Sequence, residues 1–270
     1  MHNPALKRTA APPLSFALEI MSRIVNEWIL LNREAQSVCA DALKLLALKT
    51  ERDPFAQICG AFLHKAAETL SAVNVLYAHE LQEPAQSLIR ILFELRINFD
   101  CLIRFAKDDL RGAVQRVADG MMLEKIKQAR ASEYAGIPAE LRALLEKDEA
   151  EIATRYAPDE LNRIKKHGFT GVPIEQRANL TGHKAAYSIV YRNFSRNIHS
   201  TDYVESYVKA GIHSIENTED YNQNRDAVAH YTAHFSAVGL LELANHVFSL
   251  GMEKEINYLG RRQAEIKAMP

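Results

Sequence analysis

Apolar side chains recur every three to four residues along most of the chain, and the alternation that marks strands is almost absent. Leu18, Ile20, Ile24, Trp28, Leu31, Val38, Leu45 and Leu46 fall on one helical face, which predicts one long helix, or two stacked pieces, from Ser15 to about Lys49. Asp53 followed by Pro54 has the form of an N-cap and first helical position. The helix it opens runs to about His79 through Cys59, Phe62, Leu63, Ala66, Leu70, Val73 and Leu76. Pro84 begins a third helix that extends to Lys107 and is apolar nearly all round, the mark of a helix in the middle of a bundle.

Beyond it, one helix is predicted over Asp109–Tyr134, with a break at Gly136-Ile137-Pro138, and a highly charged one over Ala139–Arg155. Pro158, Gly168, Gly171 and Pro173 give residues 156–180 the look of irregular chain with short helical pieces. A short helix around Tyr191, a polar loop over Thr201–Arg225 and a last long helix over Asp226–Arg262 complete the pattern. The expected fold is all-α: a helical bundle with a central apolar helix and a long C-terminal helix. Residues 1–13, with a Pro12-Pro13 pair, read as a flexible arm, and 14–270 as a single helical domain with 139–180 as its peripheral, charged and irregular segment. A second apolar face on the last helix predicts a homodimer.

Composition narrows the function classes. The 270 residues include 33 basic and 34 acidic side chains, a net charge of -1, which argues against a general nucleic-acid scavenger but not against a local basic site. Cys39, Cys59 and Cys101 are too far apart for a metal knuckle or a CxxC pair and suit a reducing compartment. The N-terminal segment has no apolar leader core, and no run of 18 apolar residues predicts a membrane span, so a cytoplasmic protein is expected.

Two polar stripes carry the candidate chemistry. On the central helix, Ser87, Arg90, Glu94, Asn98 and Cys101 recur at steps of three and four among apolar neighbours. A carboxylate there is costly unless paired, and Arg90 and Glu94, four residues apart, can pair. In the second, Tyr191-Arg192-Asn193-Phe194-Ser195-Arg196-Asn197-Ile198-His199-Ser200, helical spacing puts Arg192, Ser195, Arg196 and His199 on one face. Arginine offers a bidentate fork for phosphate, and an imidazole beside a carboxylate can move a proton. The helix of Arg192 and His199 is therefore the expected partner of Glu94. The alternative is that the same side chains form a structural network that fixes helix register. A third arrangement, Asp226, His230 and His234 at steps of four, has metal-ligand spacing but lacks the HExxH glutamate, and no ExxH motif is present, so no metal and no cofactor is expected and the histidines read as solvated or interfacial. Walker, GxGxxG and GxSxG motifs are missing from the sequence, as is an aromatic–basic RNA-binding run.

The segment Leu88-Ile89-Arg90-Ile91-Leu92-Phe93-Glu94-Leu95, the helix His64–Glu80 before it, and the Tyr191–Ser200 stretch resemble the bacterial domain of unknown function 5677 family over roughly residues 35–205. The resemblance implies a helical fold, makes Arg90, Glu94, Tyr191, Ser195 and His199 signature positions, and brings no established activity. The chain also resembles the HEPN superfamily of helical nucleases, in which an arginine and a histidine with four to six residues between them cut RNA without metal. Arg192 to His199, Arg225 to His230 and Arg177 to His183 all fit that spacing. This resemblance implies a metal-independent endoribonuclease, a toxin or phage-defence effector. His199 would act as general acid or base, Arg192 would steady the phosphorane, and Arg90 and Glu94 would orient them. Tyr191, Ser195, Arg196 and Asn98 would contact RNA or another anionic ligand. A non-catalytic binding or scaffold module, with the same residues as a structural network, is the alternative.

Overall fold

The computed structural model describes residues 14–49, 53–131, 138–194 and 215–269. Among the described residues there are ten α-helices and no strand. They are α1 (Leu14–Lys49), α2 (Pro54–Ala78), α3 (Gln82–Asp108), α4 (Leu110–Ala131), α5 (Ala139–Ala153), α6 (Pro158–His167), α7 (Ile174–Leu180), α8 (Lys184–Phe194), α9 (Ile215–Phe248) and α10 (Glu253–Lys267). The expected flexible arm, residues 1–13, lies outside the described residues.

Helices α1, α2, α3 and α9 form the bundle. The α2 start is as its sequence implies: the Asp53 side chain accepts a hydrogen bond from the Phe55 N–H at 2.9 Å, with Pro54 in the first turn. Helix α3 is central, meeting α2, α4, α7, α8 and α9, and Ile89, Leu92, Phe93, Ile97, Phe99 and Leu102 are fully buried. Each such side chain contributes roughly 1.5–3 kcal/mol relative to exposure. Its apolar surround is not complete, since Ile91 is 44% exposed. Helix α9 offers a ridge of buried alanines, Ala229, Ala233, Ala237 and Ala244, and packs most extensively on α1. Small side chains let two helices approach closely.

The C-terminal third departs from the sequence reading in two ways. The expected loop over 201–225 is helical from Ile215 onward; residues 201–214 lie outside the described set. The single helix expected over 226–262 is two. The break falls at Ser249 and Gly251, both at positive φ (47° and 79°). Asn245 bridges the break, donating to Glu253 Oε1 and accepting from the Met252 N–H, both at 3.0 Å. Apolar spacing continues across the turn because α10 also packs on the core, so periodicity alone does not reveal it. Helix α9 itself packs against α1, α2 and α3. Val228 is the large apolar side chain of α9 described as exposed.

The segment expected to be irregular with short helical pieces, 156–180, holds α6 and α7. Leu161 and Ile164 of α6 join Leu123 of α4 and Ile152 of α5 in a small separate core. Beside it the buried Asp119 accepts from Gln115 Nε2 (2.9 Å), Arg155 Nη1 (2.7 Å) and Tyr156 Oη (2.9 Å). Leu141 and Leu144 on α5 are exposed. No described helix is long and apolar enough to cross a membrane.

Candidate functional site

Helix α3 carries two ion pairs at i, i+4. On the stripe singled out by sequence, Arg90 Nε donates to Glu94 Oε1 at 3.1 Å, and Arg90 Nη2 donates to the hydroxyl of Tyr191 on α8. The Arg90 guanidinium also lies over the Tyr191 ring, 4.0 Å from its centroid, and the Tyr187 ring packs at a tilt against Tyr191 with centroids 4.5 Å apart. Burial pushes the Tyr191 phenol up, the Glu94 carboxylate adds to the shift and Arg90 opposes it, so the hydroxyl stays protonated. Arg90 and Glu94 keep side-chain exposures of 19% and 33%, so a ligand can still reach them.

Lower on the same stripe, Asn98 Oδ1 accepts from Arg177 Nη1 of α7 at 2.6 Å. Arg177 also holds the α6–α7 connection, donating from Nε to the Val172 carbonyl (2.8 Å) and from Nη2 to the His167 carbonyl (3.0 Å). The burial of Arg177 lowers its pKa, against the pull of Cys101, Glu94 and Tyr191. Ser87 donates to the Glu83 carbonyl at 3.4 Å and Cys101 is buried, its thiol pushed up to about 11 chiefly by burial. The structure thus unites Arg90, Glu94 and Tyr191, places Asn98 one layer away, and adds Arg177.

Sequence spacing made Arg192 and His199 the expected partners of Glu94; among the described residues, the α8 side chain that meets the Arg90–Glu94 pair is Tyr191. Arg192 lies in the last turn of α8, and Ser195, Arg196 and His199 lie outside the described residues, as does the side chain of Arg192.

The second ion pair was not anticipated. Arg96 Nε donates to Asp100 Oδ2 at 3.0 Å, and His183 Nε2 lies 2.6 Å from the same oxygen. These side chains are 11%, 11% and 13% exposed. Burial pushes the Asp100 carboxyl up, but the His183 hydrogen bond and the Arg96 guanidinium outweigh it, leaving the group below the ordinary carboxylate range. An ionised carboxylate only accepts, which fixes the shared proton on His183 Nε2. Phe93 and Phe235 flank the imidazole edge-on. Gly239 on α9 provides the room, since a Cβ there would overlap the Arg96 guanidinium. The signal available in sequence was Arg96 and Asp100 four residues apart on a mostly apolar helix; their helical phase, away from the first stripe, hides them from a search for one polar face.

The three arginine–histidine spacings separate. Arg177 turns to Asn98 and to loop carbonyls, while His183 turns to Asp100. His230 is fully buried, its ring tilted against Tyr77 with centroids 4.0 Å apart, and its Nδ1 meets Asn32 Nδ2 at 3.3 Å. His234 is fully buried against Trp28. The reading of these histidines as solvated or interfacial is therefore overturned: both belong to the core, because α9 turns this face towards α1. Burial lowers the pKa of His230 to about 3 and, with Lys267 adding and the Leu259 backbone opposing, that of His234 to about 4. Asp226, four residues before His230, accepts from Tyr77 Oη and Gln86 Nε2 at 3.3 Å each. Among the described residues, no three His, Cys, Asp or Glu side chains gather to hold a metal ion.

Comparison with known proteins gives one finding. Neither the curated proteins nor the solved structures return a match. A family model matches residues 56–213, more than half of the chain, and spans α2 to α8 with both α3 ion pairs and the whole Tyr191–Ser200 stretch. The chain belongs to the family of unknown function DUF5677.

Proposed function

We propose that the α3–α8 face is a site for an anionic ligand, and that its ligand is an RNA phosphodiester cleaved without metal in the manner of HEPN nucleases. The observation that carries this reading is the Arg90–Glu94–Tyr191 cluster, partly open to solvent, at the point where the Tyr191–Ser200 stretch begins. In this scheme Arg192 neutralises the phosphate as charge builds on the phosphorane, and His199 gives or takes the proton of the attacking or leaving oxygen. Arg90 and Glu94 orient Tyr191 and through it the segment that follows. A role in phage defence or as a toxin extends the same analogy. The test is cleavage of a labelled RNA pool in excess EDTA by wild type, His199→Ala and Glu94→Gln. Cleavage by wild type with loss in His199→Ala supports the scheme; no cleavage by any of the three removes it.

A second reading has its own support. Arg90 serves both Glu94 and Tyr191, and Asn98 is occupied by Arg177, so the described part of the stripe satisfies itself. On that reading the protein is a helical binding or scaffold module and the network sets how α8 docks on α3. Glu94→Gln then loosens α8 and alters no chemistry.

A further inference from the structure

A cleft of about 800 Å³ opens between α3, α4, α6 and the α6–α7 connection, apart from the α3–α8 face. Its size is in the range of small-molecule sites. Its wall is held firmly. Arg116 Nε donates to the Phe169 carbonyl at 2.6 Å and Nη1 pairs with Glu160. Arg177 ties down the His167 and Val172 carbonyls from the other side. Gly171, at φ 69°, lets the Arg116 guanidinium lie 3.0 Å from where a Cβ would stand. Phe105 and Tyr156 supply aromatic surface, with Arg116 between them at 5.7 and 5.8 Å.

The lining side chains divide into two groups. Arg116, Arg155, Glu160 and Asp109 are engaged in holding the fold. Asp108, Arg163, His167 and Gln176 line the cleft with no side-chain hydrogen bond or ion pair to another described residue. A firm wall bearing one uncommitted guanidinium, one uncommitted carboxylate and aromatic surface matches a particular chemistry. The guanidinium suits a phosphate, and the carboxylate accepts from an exocyclic amino group of a base. We infer that this cleft binds a nucleotide whose base carries an amino group, Arg163 taking the phosphate and Asp108 the amino edge. Arg177, which bonds both the cleft wall and Asn98 of the α3 stripe, links the cleft to the α3–α8 face. If that face handles RNA, the cleft is a subsite for a neighbouring nucleotide; binding itself does not depend on that reading.

The test is titration of the full chain carrying His199→Ala, which is inert under the proposed chemistry, with CMP and UMP by calorimetry or amide NMR. CMP should bind at least tenfold more tightly than UMP. Asp108→Asn should remove that preference, and Arg163→Ala should weaken both nucleotides about tenfold. Both positions are exposed, so circular dichroism should show an unchanged fold. No binding at millimolar nucleotide, equal binding of CMP and UMP, or binding indifferent to both variants overturns the inference. RNA cleavage without nucleotide binding sinks the cleft and spares the nuclease; binding without cleavage does the reverse.

Discussion

His230 and His234 make stability steeply dependent on pH. Both imidazoles are fully buried, with pKa values lowered to about 3 and about 4, against about 6.5 in an unfolded chain. The sign follows from proton binding. Below pH 6.5 the unfolded chain takes up protons that the native chain refuses, so the stability these groups permit is complete above 6.5. It is lost as pH falls towards the native values, and no further loss comes from them below those. One pKa unit is about 1.4 kcal/mol, so two neutral histidines give a slope of roughly 2.7 kcal/mol per pH unit through this window, and about 4–5 kcal/mol is lost between pH 6.5 and 4.5. That is a large share of the ~5–15 kcal/mol that holds a typical domain. Asp226, raised by burial, gives back some stability on protonation, and Asp100, held low, adds its loss at more acid pH. The assay is urea unfolding at half-unit steps from pH 7.5 to 4.5 for wild type and His234→Phe, which keeps a ring against Trp28 but cannot charge. Wild type should lose stability steeply below pH 6.5, and the variant should show about half the slope. A stability flat down to pH 5, or an equal slope in the variant, would refute the argument.

Three further outcomes are expected. Gly239→Ala should expel the Arg96 guanidinium from its place on α9 and leave Asp100 short of a partner, costing about 2–4 kcal/mol in urea unfolding; an unchanged midpoint would mean that Arg96 finds another berth. Asp119→Ala removes the acceptor shared by Gln115, Arg155 and Tyr156 and should cost about 3 kcal/mol, with amide exchange quickening first in α5 and α6. Glu94→Gln, with its pair partly exposed, should cost only about 1 kcal/mol of stability, so that a complete loss of RNA cleavage in this variant could not be attributed to unfolding.

Elements whose physics is local were legible in the chain alone. The Asp53–Pro54 cap, the apolar period of α2 and α3, and the Arg90–Glu94 pair are all set within one or two turns, and the structure has them where the spacing puts them. The family, too, was legible from two separated motifs. Whatever depends on which helix faces which was settled only by packing in three dimensions. Histidines at helical spacing look alike whether they face water or α1; only the docking of α9 buries His230 and His234. The break between α9 and α10 was invisible because both pack on one core and keep one apolar rhythm, and it took Asn245 reaching across the turn to fix it. The Arg96–Asp100–His183 cluster joins residues of α3 with the residue just before α8, 83 positions apart, and depends on space left by a glycine on α9. A contact of that kind has no local signature, because its energy exists only once three separate segments share one interior.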